Sequence, residues 1–259
     1  MDSGSKATAA DQAFAAQYRE GEYLEKVPEW HVGDSHWKAG KVLEILRRNA
    51  IVPRSLCDVG CGAGQILVEL QDGLGREVEM VGYDISPQAI ALCAGKENAS
   101  LTFRQCDFLT EEEAKFDVLL LLDVFEHVPD YLDFLKRLRG RARWFVFHIP
   151  LDLNVQALLQ GSRPMLDMRR RYGHLHYFTA ETALATLADC GFKVRDSFYT
   201  WDTEIDGRPK PPPGLKGRLR YPLTCLIYTI ERLLFRWRPA LPARLRKRFN
   251  LLVLASTGV

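Results

Sequence analysis

From residue 55 onward, short apolar runs alternate with stretches whose apolar positions recur at helical spacing. Extended runs fall at 55–59, 79–83, 101–105, 116–122 and 143–148, and helical periodicity fills 64–71, 87–97 and 131–139. This alternation predicts an α/β fold, a doubly wound, mostly parallel sheet with helices on both faces. Val118, Leu119, Leu120, Leu121 and Leu122 form an unbroken apolar run, as expected of a central strand buried on both sides. The rhythm breaks over 151–178, where Pro150, Gly161, Pro164 and the triplet Arg169, Arg170 and Arg171 predict a lid or substrate loop. A helix over 180–190 then leads through Gly191 into a strand at 193–199, and a last strand follows at 251–256.

Ahead of the first strand, Val42, Leu43, Ile45 and Leu46 mark a helix that Ser35 or Asp34 can cap. The loop before it, 27–38, holds two tryptophans, Trp30 and Trp37, and two histidines, His31 and His36. Residues 1–26 read as a polar arm in which Phe14, Tyr18 and Tyr23 share a face, or else as a frayed terminus.

Composition changes this picture in two places. The chain has 259 residues, 47% of them hydrophobic, enough for a sizeable core. Its six cysteines form no C-x-x-C pair and read as reduced, buried thiols of a cytoplasmic protein. The first ten residues carry no apolar core of a signal peptide, and no run of 18 apolar residues occurs, which argues against secretion and membrane spanning. The net charge of +2 hides an asymmetry: between Gly207 and Phe249 twelve Lys or Arg stand against Glu231 alone, +11, which leaves −9 for the remainder.

Candidate chemistry begins where the first strand runs into Asp58, Gly60, Gly62 and Gly64. Glycine lets a chain turn sharply and pass close to a ligand. Asp84 lies twenty residues after Gly64, at the end of a second apolar run. Both features therefore sit at strand carboxyl ends, where open α/β sheets bind ligands, and they point to an adenosine-containing molecule. A dinucleotide fingerprint wants a third glycine or alanine where Gln65 stands, and no Gly-Lys-Ser/Thr follows to make a Walker loop. Asp58 disfavours a diphosphate and favours a cationic ligand.

On four motifs in register, the chain resembles a class I S-adenosylmethionine-dependent methyltransferase of the small-molecule type, similar to ubiquinone-biosynthesis O-methyltransferases. They are the Asp58–Gly64 turn, Asp84, the run Gln105-Cys106-Asp107-Phe108, and the run Leu122-Asp123-Val124-Phe125-Glu126-His127-Val128-Pro129. Gly173 to Thr179 and the Cys190-Gly191-Phe192 stretch are similar to the same enzymes. The resemblance implies a seven-stranded Rossmann-like methyltransferase sheet and S-adenosylmethionine as cofactor. In it, Asp84, followed by Ile85, accepts from the ribose hydroxyls, Asp107 accepts from the adenine amino group, and Phe108 walls the adenine ring. Backbone at Gly60 and Gly62, beside Gln65, approaches the methionine moiety, and the Leu122 carbonyl and Asp123 lie near its amino group. A carboxylate has acceptors only, and these ligand groups are donors.

Methyl transfer from a sulfonium is mostly alignment, plus removal of a proton where the nucleophile carries one. His127, His148, His174 and His176 fall at strand ends four and five or after the lid, and each is a candidate base; for each, a structural hydrogen-bonding role stands beside the catalytic one. Asp123, Glu126 and His127 resemble the Glu-x-x-Glu-His metal pattern of the ubiquinone-pathway enzymes, but the same letters occur in family members that use no metal, and no metal is assigned. Trp30, Trp37 and Lys38 are expected to cover the cofactor pocket.

The basic segment contains an apolar stretch, 223–237, flanked by arginines and too short to span a bilayer. It predicts contact with an anionic membrane surface or a lipid-like substrate, or else a basic helix packed on its own domain or a second subunit. Nucleic acid is a minor option, since no RNA-binding motif accompanies it. The expected organisation is an N-terminal arm and cover over 1–50, a methyltransferase core over 51–206, a basic helical insertion over 207–249 and a last strand over 250–259. The expected function is methyl transfer from S-adenosylmethionine to an oxygen or nitrogen, oxygen before nitrogen, of a small-molecule acceptor. A NAD-dependent oxidoreductase and a non-catalytic S-adenosylmethionine-binding protein are the alternatives. The sequence leaves the oligomeric state open.

Overall fold

The strand-forming runs hydrogen-bond into one sheet because each is too apolar to leave in water and too short to make a helix. A computed structural model describes residues 16, 18–21, 32–111, 113–202, 215–246 and 248–258, of which 215–220 are described as backbone alone. Helix α1 (Ser35–Arg48) leads to β1 (Ser55–Val59), α2 (Gln65–Leu74), β2 (Glu79–Asp84), α3 (Pro87–Leu92), β3 (Leu101–Gln105), β4 (Phe116–Leu122), α4 (Tyr131–Leu138) and β5 (Ala142–Pro150). Then follow α5 (Val155–Leu159), α6 (Arg163–Tyr172), α7 (Ala180–Asp189), β6 (Lys193–Trp201), α8 (Leu215–Trp237), α9 (Ala240–Leu245) and β7 (Phe249–Ser256).

The seven strands lie in the order β3-β2-β1-β4-β5-β7-β6, parallel from β3 to β5, with β7 antiparallel to both β5 and β6. The chain winds outward from β1 in one direction and from β4 in the other. The switch between them opens a crevice at the carboxyl ends of β1 and β4, where a ligand binds in such sheets.

Strand alternation divides the core between two faces. Leu119 and Leu121 join Cys57, Val59, Phe145 and Phe147 under α4 and α7, while Val118, Leu120 and Leu122 join Leu56, Val146, Leu252 and Leu254 under α1 and α2. A strand apolar at every position is thus used at every position.

The structure departs from the sequence expectation at three elements. The helix expected over 87–97 ends at Leu92, and Gly95 in the left-handed region (φ +79°) turns the chain back toward β3. Strand β5 runs to Pro150 because β7 continues the ladder there, pairing Ile149 with Leu251 and Pro150 with Asn250. The expected loop over 151–178 folds into α5 and α6, separated where Gly161 and Ser162 both take positive φ. All six cysteines are free thiols, as expected, though Cys106 and Cys225 are only half-buried.

In the basic segment, α8 lays Tyr228 and Phe235 on Trp201 at 5.5 and 5.7 Å between ring centroids, and Phe249 completes the stack. Its other face exposes Leu223, Leu226, Ile230, Leu233 and Trp237, spaced three and four residues apart in one stripe. No helix among the described residues is long and apolar enough to cross a membrane.

Leu120 is wholly buried at the centre of the sheet, whereas Val52 is 88% exposed. Leu120→Ala is expected to cost about 2–5 kcal/mol, and Val52→Ala less than about 0.5 kcal/mol. Urea midpoints at an unchanged slope measure both, and equal midpoints for the two variants would contradict the core assignment.

Candidate active site

Strand β1 ends in a turn with no side chain to spare. Gly60, Gly62 and Gly64 take φ of +76°, +54° and +73°, a region that favours glycine. A Cβ on Gly64 would stand 2.4 Å from the Phe103 ring, so the third glycine brings α2 close to the sheet. The N–H groups of Gly60 and Cys61 both donate to the Tyr83 carbonyl (2.8 and 3.0 Å), which stitches the turn to β2. Asp84 holds it from the other side: Oδ2 accepts from the Gly62 N–H at 2.9 Å and Oδ1 from the Ser86 N–H at 2.8 Å. Burial raises the Asp84 pKa, and those N–H donors oppose the rise.

Asp58 lies beneath the turn, and its Oδ1 meets no hydrogen-bond donor. Burial, reinforced by the neighbouring Asp84 charge and opposed by Lys38, pushes its pKa up to about 8. It is therefore a carboxylic acid at neutral pH.

Across the crevice, Asp123 follows β4 with φ +57°, an uncommon conformation for a residue with a side chain. Its Oδ1 lies 2.6 Å from His148 Nδ1, and its Oδ2 lies 2.8 Å from Lys38 Nζ. Burial opposes ionisation of Asp123, but His148 and Lys38 outweigh it and hold the carboxyl well below the usual range. Lys38 also meets Asp34 at 3.1 Å; burial works to lower its pKa, and the two carboxylates hold it above the ordinary value. The second nitrogen of His148, Nε2, pairs with Thr200 Oγ1 at 3.0 Å, and the edge of Trp37 covers the ring at 5.8 Å.

A second group lies just beyond. Glu126, in the short 3₁₀ turn Phe125–His127, has no exposed surface, and neither carboxyl oxygen has a hydrogen-bond partner. Burial and the Asp123 charge push its pKa well up. The N–H groups of Leu175 and His176 both donate to the Glu126 carbonyl (2.9 and 3.1 Å), drawing the strand-like segment after α6 over the turn. That segment delivers His174, whose Nδ1 lies 2.6 Å from Asp152 Oδ2 and whose ring meets His127 edge-on at 4.9 Å between centroids. His127 directs Nδ1 to the Tyr18 hydroxyl (3.2 Å) and Nε2 toward Glu126 Oε1 (3.9 Å).

A glycine turn stitched to an acidic strand end, at the switch of a sheet of this order, is matched by the model of a methyltransferase domain over residues 35–197. The chain belongs to the methyltransferase domain family. Over 98 residues it is 33% identical to the ubiquinone biosynthesis O-methyltransferase of Actinobacillus pleuropneumoniae serotype 5b (strain L20), covering 35% of this chain and 42% of that one. Over 85 residues it is 40% identical to the enzyme of the same name from Bradyrhizobium diazoefficiens, covering 31% of this chain and 32% of that one. These matches span about a third to two-fifths of the relatives' own length. Among solved structures, the magnesium protoporphyrin IX methyltransferase of Synechocystis PCC 6803 with bound S-adenosylmethionine superposes with a TM-score of 0.58 at 14% identity, over 98% of this chain and 100% of that one. The putative methyltransferase of Haloferax volcanii, solved with its Trm112 activator, gives 0.60 at 17% identity over 98% of both chains. At such identities the likeness is one of fold, and the fold is the expected one.

Within this methyltransferase fold the residues singled out from the sequence separate into three groups. Gly60, Gly62, Asp58, Asp84, Leu122 and Asp123 line the ends of β1, β2 and β4, with Trp37 and Lys38 above them on α1. Ile85 is half-buried beside Asp84, and Gln65 starts α2 with its amide donating to Glu69 Oε1 at 3.0 Å. Asp107 is exposed after β3, where its Oδ1 accepts from the Leu109 N–H at 2.9 Å.

Phe108, expected beside the adenine, starts the short turn after Asp107. It is buried in the core, edge-on to Tyr83 at 5.1 Å and with the Arg141 guanidinium over its ring at 4.6 Å. The histidines also part company. His127 and His174 converge on Glu126, whereas His148 has both nitrogens engaged, and His176 spends Nε2 on the Val128 carbonyl at 3.0 Å. Asp34 stands at the N-cap of α1, but its carboxylate pairs with Lys38 rather than capping the helix. Trp30 and His31 lie outside the described residues.

Asp152 and Thr200 belong to the site and went unnoticed in the sequence. Asp152 follows the end of β5, a position that the strand-end rule could have flagged. Thr200 is brought in only by the antiparallel pairing of β6 with β7, which no local signal announces.

The Asp58 titration has a testable sign. The unfolded chain ionises this group near pH 4, the folded chain near 8, so its contribution to stability is greatest below about pH 4 and drains away as pH rises to about 8. Asp58→Asn removes that loss, and its stability relative to the parent should grow between pH 5 and pH 8, by at most about 1.4 kcal/mol per pH unit. Urea unfolding at both pH values reads it; a difference independent of pH would contradict the buried neutral acid.

Proposed function

We propose that this chain moves the methyl group of S-adenosylmethionine to an oxygen of a small-molecule acceptor. The observation that carries the reading is the paired arrangement of Asp84 and the glycine turn at the switch of a methyltransferase-domain sheet. Asp84 uses one lone pair on each oxygen for the Gly62 and Ser86 N–H groups, and an ionised carboxylate has about two more acceptor sites for a ribose diol. The Asp123 carboxylate at the end of β4 suits a ligand with an ammonium and a sulfonium. A dinucleotide pyrophosphate would meet that carboxylate with like charge.

In the transfer, the acceptor oxygen loses its proton and forms a bond to the methyl carbon as the carbon–sulfur bond breaks, releasing S-adenosylhomocysteine. Oxygen rather than nitrogen as the acceptor atom is supported by the names of the relatives, ubiquinone biosynthesis O-methyltransferases. We assign handling of the acceptor oxygen to His127 and His174 with Glu126. His148 positions Asp123, and His176 fastens the segment that carries His174.

Titration calorimetry with S-adenosylmethionine tests the cofactor assignment. Asp84→Ala removes acceptors for two hydroxyls and should weaken binding by about a hundredfold or more. Unchanged affinity, or preference for NAD, would contradict the pocket. Retained binding with no labelled methyl passed to any acceptor in a broad extract would favour a protein that binds the cofactor without catalysis.

A second reading concerns place rather than chemistry. We propose that α8 rests on an anionic membrane surface or a lipid-like substrate. The exposed stripe Leu223, Leu226, Ile230, Leu233 and Trp237 supports it, with Arg232, Arg236 and Arg238 exposed alongside. Co-sedimentation with vesicles rich in anionic lipid should capture the chain at low salt and release it at high salt. Leu226→Asp with Leu233→Asp should abolish capture, and capture that survives the pair would count against the helix.

A further inference from the structure

We propose that Cys61 and Cys93 form a dithiol modification site behind the glycine turn, which a hydroperoxide converts to a disulfide that weakens cofactor binding. The loss of cofactor affinity rests on the methyl-transfer reading above; the formation of the bond does not. Both cysteines are free thiols, and they stand on different elements, Cys61 in the turn after β1 and Cys93 at the C-cap of α3. The fold brings their sulfurs to one carbonyl: Cys61 Sγ lies 3.9 Å and Cys93 Sγ 3.4 Å from the Gly62 oxygen. The two side chains also hydrogen-bond to each other.

Glycines make the room for this pair. A Cβ on Gly64 would stand 2.9 Å from Cys93 Sγ, and one on Gly82 would stand 2.8 Å from Cys61 Sγ, so the sulfurs meet where two side chains are missing. Lys96 Nζ donates to the Ala63 carbonyl at 2.6 Å and brings a positive charge to the same turn. The hydrogen bond from Cys61 lowers the Cys93 pKa, with burial opposing and the Lys96 charge assisting, whereas the same bond and burial push Cys61 well up. An unequal pair of this kind supplies one thiolate to attack and one thiol to resolve. Cys93 itself is buried, but Leu92, Ala94 and Gly95 beside it are exposed, and α3 is only six residues long. The last turn of so short a helix opens at low cost and admits a small oxidant.

In the reaction, the Cys93 thiolate attacks the outer oxygen of the hydroperoxide, the O–O bond breaks, and the departing oxygen takes up a proton as water or an alcohol. Cys93 is then a sulfenic acid. The Cys61 sulfur attacks it, the S–O bond breaks, and the oxygen leaves as water with the Cys61 proton. The two thiols have lost two electrons, and the peroxide has gained them. The new bond draws the end of α3 onto Gly62, whose N–H is held by Asp84 Oδ2 at 2.9 Å. The N–H groups of Gly60 and Cys61 are already fixed on the Tyr83 carbonyl, so the displacement falls on the contact between Gly62 and Asp84, on which the cofactor assignment depends.

The test uses the full chain, oxidised with hydrogen peroxide and then blocked with an alkylating agent. Peptide mass spectrometry should find Cys61 joined to Cys93, and calorimetry should show S-adenosylmethionine bound at least about tenfold more weakly than by the reduced protein. Dithiothreitol should restore the affinity. Cys93→Ser should bind S-adenosylmethionine like the reduced parent and keep that affinity through peroxide treatment; its hydroxyl can still donate to the Ala89 carbonyl that Cys93 Sγ meets at 3.5 Å, so the fold is expected to survive. Peroxide-treated protein without the Cys61–Cys93 link would overturn the site, as would a link that leaves cofactor affinity unchanged or a loss of affinity that persists in Cys93→Ser. Reduced protein that fails to bind S-adenosylmethionine while the link still maps would instead mark failure of the cofactor assignment.

Discussion

A carboxylate withdrawn from water must be protonated, paired or hydrogen-bonded, and the crevice of this protein is organised by that constraint. Four acidic side chains crowd the ends of β1, β2 and β4, and each meets the constraint differently. Asp58 keeps its proton, Asp84 takes two backbone N–H donors, Asp123 is flanked by Lys38 and His148, and Glu126 is buried with nothing to accept from. The charge left at the strand ends is thus confined to Asp84 and Asp123, each held by named donors.

The sheet makes this concentration of charge tolerable. Its central strands are apolar on both faces, so the polar groups have nowhere to lie except at the carboxyl ends, where the chain leaves the sheet. There the backbone itself does much of the work. The glycine turn donates to Tyr83 and Asp84 without a side chain intervening, and the positive φ of Asp123 turns its carboxylate back toward α1. Lys38 then ties α1 to β4, so the cover helix is held by an ion pair at one end and by Val42, Ile45 and Leu46 in the core along its length.

What could be read in the sequence follows from which interactions are local. Strand and helix periodicity, the glycine turn and the position of Asp84 depend on neighbours in the chain, and all were legible before any coordinates. The fate of the four histidines was not. They look alike in sequence, yet His148 is fixed by Thr200, 52 residues away, and His174 by Asp152, 22 residues away, through pairings that only the folded sheet creates. The surroundings of Phe108 were hidden for a similar reason: Arg141 and Tyr83, both distant in sequence, pack against its ring.

His148 joins the two halves of the sheet. It stands on parallel strand β5, reaches Asp123 after β4 through Nδ1, and reaches Thr200 on antiparallel β6 through Nε2. Asp123 in turn holds Lys38 on the cover helix. One imidazole thus joins the cofactor end of the crevice to the β6–β7 edge, and beyond Thr200 the same edge carries Trp201, on which the basic helix α8 is stacked. The shortest polar route inward from that stack runs from the adjacent Thr200 through His148 to the carboxylate that pairs with Lys38 on α1. The route is continuous in hydrogen bonds and ion pairs, so the helix that bears the apolar stripe and the helix that covers the crevice share one chain of contacts.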